Sequence, residues 1–235
     1  MKQGSAGGPS VQLFMDVRDD RSVNESVSWV LKEAGRIDVL INCAGVTVGG
    51  SAEEMLVDEI RDQIETNLLG TMRTCRAVLP GMRARKSGLL INIGSLAGLM
   101  GVPFQSAYSA SKFGVEGYSE SLQMEVSGFG VRVVVIDPGD VHTEITAHRK
   151  ETKGTLKGTP YRLNLDAAMR SQASSELHGW EADRIAGLVE KIVRSRRPRF
   201  RYTTGPFIER VAVPVRRILP DRLFLGILAR FYGVR

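Results

Sequence analysis

The stretch GLLINIGS, residues 88–95, decides the fold. Leu89 to Ile93 are apolar except for Asn92, and the run ends abruptly on Gly94 and Ser95. A strand with one wet face alternates apolar and polar residues, whereas one buried on both faces reads as a continuous apolar run. VQLFM (11–15), IDVLI (37–41) and VRVVVI (131–136) read the same way. Helical spacing fills the intervals. Ser22 is a candidate N-cap, Val23, Val27, Val30, Leu31 and Ala34 recur on one face, and Gly35 is a C-cap. A long helical stretch covers 56–84 and weakens at Pro80–Gly81, and SAYSASKFGVEGYSESLQMEV (106–126) is a third helix. The order β-α-β-α-β-α-β predicts an α/β protein built on a doubly wound parallel sheet. Past residue 140 come the polar loop HRKETKGTLKGTP (148–160), helices near 161–177 and 181–195, the short strand RFRYTTG (199–205) and an apolar-basic tail.

The chain has 235 residues, 43% of them hydrophobic, enough to bury the core of one domain. Cys43 and Cys75 form no CxxC pair, which argues against a disulfide framework or structural zinc and for a reducing, cytoplasmic setting. No metal site is expected. The net charge of +6 is concentrated in RSRRPRFRY (194–202) and RRILPDR (216–222). No zinc-finger or RNP-type motif accompanies these runs, so they read as a solvated basic face and no nucleic-acid partner is expected. No run of about 18 apolar residues predicts a transmembrane helix. MKQGSAGGPS has no apolar segment of the kind a signal peptide needs.

Ligands of an open parallel sheet sit beyond the carboxyl ends of its strands. The breaks there read Asp16-Val17, Asn42-Cys43-Ala44-Gly45, Gly94-Ser95 and Asp137-Pro138-Gly139. Small residues let a flat ligand lie against the backbone. In YSASK (108–112), Tyr108 and Lys112 stand at i and i+4 on one helix face. A phenol with a reference pKa of about 10 is a poor base at neutrality. A neighbouring ammonium favours its phenolate and suits it to exchange a proton with a substrate hydroxyl or carbonyl. Ser95 is placed to hydrogen-bond the same oxygen.

NCAG, TNLLG, INIGS, YSASK and DPGDVHT, in this order on strands and helices, resemble the short-chain dehydrogenase/reductase family in its compact single-domain branch. The resemblance covers residues 11–145 closely and implies a Rossmann-like doubly wound sheet with NAD or NADP as cofactor. It implies that Tyr108 is the general acid/base, that Lys112 lowers its pKa and holds the nicotinamide ribose, and that Ser95 orients the substrate oxygen. Asn67 would keep a helix irregularity and a water that links Lys112 to solvent. Asn42, Ala44 and Gly45 would stabilise the sheet and lie along the cofactor, with Cys43 a packing residue. Asp16 and Val17 would lie beside the adenine. Pro138, Gly139, Val141 and Thr143 would contact the nicotinamide amide. The reaction implied is hydride transfer between the nicotinamide and an alcohol or ketone carbon.

The family's T-G-x-x-x-G-x-G turn, which sets a pyrophosphate against a helix N-terminus, has no counterpart here. GSAGG (4–8) and GVTVGG (45–50) are poor substitutes. One βαβ unit takes about 30 residues or more, so the expected gap is on the order of 50–60 residues and the domain is read as N-terminally truncated. Residues 1–235 are expected to form this single incomplete domain, with 142–235 as substrate lid and C-terminal extension. His142 after DPGDV resembles relatives acting on steroids, retinoids or acyl ketones, and a small lipophilic alcohol or ketone is the expected substrate. The tail 207–235 is expected to close the substrate pocket or pack on a neighbouring subunit; peripheral contact with a membrane surface is the alternative. A homodimer or homotetramer is expected. A competing reading keeps the site residues but makes the chain a cofactor-deficient binding partner of intact relatives, and a nucleotide-sugar epimerase is disfavoured because no C-terminal substrate domain is evident.

Overall fold

A computed structural model describes residues 2–3, 9–142 and 150–234. Two two-residue strands, β1 (Lys2–Gln3) and β2 (Pro9–Ser10), pair antiparallel at the start. Helix α1 (Asp20–Ala34) is capped by Asp19, whose carboxylate accepts from the Arg21 and Ser22 N–H groups, and ends on Gly35 at φ 76. Ser22 is therefore not the N-cap. Its hydroxyl instead accepts from the Asp16 N–H at 2.9 Å. There follow β3 (Val39–Asn42), β4 (Val48–Gly49), α2 (Val57–Ile64), α3 (Gly70–Ala84), β5 (Gly88–Ile93), α4 (Ser106–Val126) and β6 (Val131–Pro138). The last part contains β7 (Val141–His142), β8 (Lys150–Glu151), α5 (Arg162–Leu177), β9 (Trp180–Glu181), α6 (Ala182–Arg194), β10 (Arg201–Thr204), α7 (Phe207–Ile218) and α8 (Asp221–Phe231).

The central sheet has the order β10-β6-β5-β3 and is parallel throughout. Its register sets Asn42 opposite Asn92, Ile93 opposite Ile136, and Asp137 opposite Thr203. One face packs Leu90, Val131 and Val133 against Cys75, Val78 and Met82 of α3 and Leu122 and Val126 of α4. The other packs Leu89, Ile91, Val134 and Ile136 against Ile192 of α6. Helices on both faces are the reason the strands read as unbroken apolar runs. The doubly wound α/β reading holds.

One expected strand is not formed. Val11–Met15 has no ladder, and Phe14 is 86% exposed. Among the described residues the sheet ends at β3, so no neighbouring strand satisfies the backbone groups of this run. The helical stretch expected over 56–84 is formed, and α3 continues through Pro80 and Gly81 to Ala84. Between α2 and α3 the backbone makes a π-helical turn, Glu65–Leu69. The tail forms two helices, and no helix among the described residues is long and apolar enough to cross a membrane.

Candidate active site

A cavity of about 440 Å³ opens at the carboxyl ends of β5 and β6. Gly45, Ser95, Tyr108, Lys112, Pro138, Gly139 and Val141 all line it. These residues come from four separate chain segments. The parallel sheet brings them together because every strand ends at the same side.

Tyr108 and Lys112 project from α4, one turn apart. Lys112 is 5% exposed, its Nζ donates to the Ile93 carbonyl at 2.8 Å, and it stands 5.7 Å from the centre of the Tyr108 ring. That bond holds the ammonium against the end of β5. Ser95 begins the 3-10 turn Leu96–Gly98, and its Oγ accepts from the Ala97 N–H at 3.1 Å. The hydroxyl hydrogen is therefore free of that contact and can be donated. Gly98 lets this turn approach α4, since a β-carbon there would stand 2.8 Å from the Lys112 carbonyl oxygen.

Asn67 sits in the π-helical turn and is 1% exposed. Its Nδ2 donates to the Val46 carbonyl at 3.0 Å and to Ser111 Oγ at 2.9 Å, and its Oδ1 accepts from the Val46 N–H at 2.8 Å. Ser111 Oγ in turn donates to the Tyr108 carbonyl at 2.7 Å. The amide thus pins the segment after β3 to the helix that carries Tyr108. Asn42 has a similar linking position below the cavity. It accepts from Thr74 Oγ1 at 2.6 Å and donates to Asn92 Oδ1 at 2.9 Å, and Asn92 donates to Ser119 Oγ at 2.8 Å.

Other expected residues lie apart. Asp16 is engaged by Arg18 through its backbone N–H, Nε and Nη2, and this partner lowers the carboxyl to about 2. Val17 packs on Gly70 of α3. Neither residue lines the cavity, nor do Asn42, Ala44 or Asn67. Thr143 lies outside the described residues. Cys43 is not the packing residue expected of it; it is exposed on the cavity wall, because the chain leaves the sheet edge there. The buried thiol is Cys75, which burial pushes up to about 11.

Several wall residues escaped the sequence reading. Gln105 at the start of α4 donates to Gln172 Oε1 of α5 at 2.6 Å, and Gln172 donates to the Pro103 carbonyl at 3.2 Å. Glu209 of α7 accepts from the Asp140 N–H at 2.9 Å, and burial raises its carboxyl. Both pairings join residues far apart in the chain, so no local pattern announces them. Ser111 was legible only in hindsight, as the residue between Tyr108 and Lys112 that faces Asn67.

The cavity wall fits the nicotinamide and ribose of a dinucleotide. Gly45 presents open backbone, its would-be β-carbon 3.5 Å from Asn67 Oδ1 and 4.0 Å from Lys112 Nζ, so a flat group can approach the buried ammonium. Asp16, the residue expected beside the adenine, has its carboxylate engaged by Arg18 instead.

The family model for short chain dehydrogenases matches residues 2–154. A 3-ketodihydrosphingosine reductase from Bacteroides thetaiotaomicron is 37% identical over 223 residues, covering 95% of this chain and 83% of that protein. The crystal structure of a short-chain dehydrogenase from Streptomyces avermitilis matches with a TM-score of 0.77 and 28% identity, over 88% of this chain and 74% of that one. The closed form of a serine dehydrogenase complexed with NADP+ matches with a TM-score of 0.69 and 28% identity, over 82% and 74%.

Proposed function

The chain belongs to the short-chain dehydrogenase family, a family of NAD(P)-dependent oxidoreductases, and on that premise we propose that it interconverts an alcohol and a carbonyl on a lipophilic substrate. The observation that carries the reading is the meeting of Ser95, Tyr108 and Lys112 in one cavity. Lys112 and the open backbone at Gly45 would hold the nicotinamide ribose, with Pro138, Gly139 and Val141 on the amide side. The bound dinucleotide supplies or accepts the hydride.

This chain's own groups handle the oxygen. The Ser95 hydroxyl donates a hydrogen bond to the substrate oxygen and fixes it beside the Tyr108 phenol. In the reducing direction the phenolic proton moves from Tyr108 Oη to that oxygen, and in the oxidising direction it returns. The Lys112 ammonium stabilises negative charge left on the phenolic oxygen. Asn67 and Ser111 hold α4 in register with the wall. Met100, Val102, Ile185, Val189 and Phe231 line the rest of the cavity, which supports an apolar substrate body. Similarity to a 3-ketodihydrosphingosine reductase supports the same class.

Contact of 207–231 with a membrane surface belongs to this reading as well. The inner faces of α7 and α8 pack on Leu96 and Met100, while Phe231 and Tyr232 reach the cavity wall. Their outer faces carry exposed Phe207, Val211 and Ile218 at i, i+4 and i+11, and Leu223 and Ile227 at i and i+4. Exposed Arg210, Arg217, Arg222 and Arg230 flank these stripes, as expected for an anionic lipid surface. Association into a homodimer or homotetramer is supported by exposed Met124 and Phe129 at the end of α4.

Calorimetric titration with NAD(H) and NADP(H) tests the reading. Saturable binding of at least one of them is expected; if neither binds, the chain acts as a partner of intact relatives.

A further inference from the structure

Glu116 lies one turn beyond Lys112, so Tyr108, Lys112 and Glu116 occupy one face of α4 at i, i+4 and i+8. Its side chain points beneath the cavity floor, where it meets Asp137 on β6. Asp137 is wholly buried and immediately precedes Pro138–Gly139; Glu116 is 5% exposed. The two carboxyls fill the space against Gly94, the residue before Ser95: a β-carbon at Gly94 would overlap both Asp137 Oδ1 and Glu116 Oε1. Arg201 of β10 closes the group. Its Nη2 stands 2.5 Å from Glu116 Oε2 and its Nε 3.5 Å from Asp137 Oδ2, while Nη2 also reaches Glu120 Oε1 at 2.8 Å. Neither carboxyl lines the cavity.

Two carboxylates in contact at this depth cannot both stay ionised on one guanidinium that is also shared with Glu120. We propose that Glu116 and Asp137 share one proton and act as a positioning pair, tying the Ser95 end of β5 and the Pro138–Gly139 end of β6 to the helix that carries Tyr108 and Lys112. This inference rests on the functional reading above. Asp137 carries the proton, being more deeply buried and further from Arg201. Burial, then the Glu116 neighbour, pushes its carboxyl up to about 9, against the pull of Arg201 and of the Ser95 N–H. The remaining charged groups around the pair are Lys112, tied to the Ile93 carbonyl, and Glu209 and Asp140 beyond Gly139. With the proton in place, Glu116 and Arg201 balance. Loss of that proton to solvent base sets two anions against each other directly behind Gly94.

The test follows the amide signals of Ser95 and Gly139 and the Asp137 carboxyl carbon by NMR from pH 5 to pH 10.5, in the wild-type chain and in Asp137→Asn. Both amides are expected to shift with the midpoint of the Asp137 carboxyl, near pH 9, and to lose that transition in the variant. An Asp137 midpoint in the ordinary carboxylate range, or amides indifferent to it, overturns the proposal. Neither readout needs turnover, so a silent enzyme counts against the functional reading and not against the pair. With substrate in hand, kcat should fall about tenfold per pH unit above the same midpoint. Asp137→Ala should lower kcat at pH 7, and Asp137→Asn, which keeps a neutral hydrogen-bond donor toward Glu116, should restore most of it. An alkaline fall unchanged in Asp137→Asn also overturns the proposal.

Discussion

Tyr108 is the residue whose removal separates chemistry from binding. Tyr108→Phe deletes the proton donor and leaves the ring in place, so kcat should drop by about 10²–10⁴ while dinucleotide affinity measured by calorimetry stays nearly constant. Asn67→Ala should act on stability instead. It removes two bonds to the part-buried Val46 backbone and one to buried Ser111 Oγ, at about 1 kcal/mol for each lost bond. Urea denaturation should show a loss of about 2–4 kcal/mol. The legibility of these residues follows their range. Tyr108 and Lys112 stand one helical turn apart, so sequence spacing alone puts them together. Glu209 meets the Asp140 N–H only because α7 returns across the cavity, and Glu116 meets Asp137 only through the packing of α4 on β6. Asp137 itself was visible as a strand-end residue, but a turn and a buried acid look identical in one dimension.

Among the elements, β5 and β6 were readable because helices cover both of their faces and leave few polar positions to confuse the pattern. Val11–Met15 shows the limit of that logic. The run has strand composition, yet a strand exists only where a neighbour offers a ladder, and that is a property of the sheet. The tail was readable as a mixture of Arg and apolar residues, but not as two helices joined at Leu219–Pro220 with separate inner and outer faces. The outer face gives the element its prediction. The wild-type chain should sediment with vesicles containing anionic lipid, less with neutral ones, and more weakly as salt rises. Phe207→Asp with Ile218→Asp should abolish sedimentation, since both side chains are exposed and their loss spares the inner packing. Undiminished sedimentation of the double variant would exclude this face.

For the whole molecule, the buried acid pair adds a pH dependence to stability. The folded chain holds the Asp137 proton up to about pH 9, whereas the unfolded chain releases it in the ordinary carboxylate range. Between those limits the unfolded state binds fewer protons, so this group makes stability fall as pH rises, by up to about 1.4 kcal/mol per unit. Asp137→Asn removes the dependence. Denaturation midpoints of variant and wild type should therefore diverge, in favour of the variant, as pH climbs from 5 to 9. The register that sets Arg201 beside Val135 has a further consequence, in time rather than in energy. A ribosome must release the whole stretch from β6 to β10 before the fourth strand can dock, and such distant parallel pairing is slow to form. During synthesis the floor of the cavity therefore waits for its arginine.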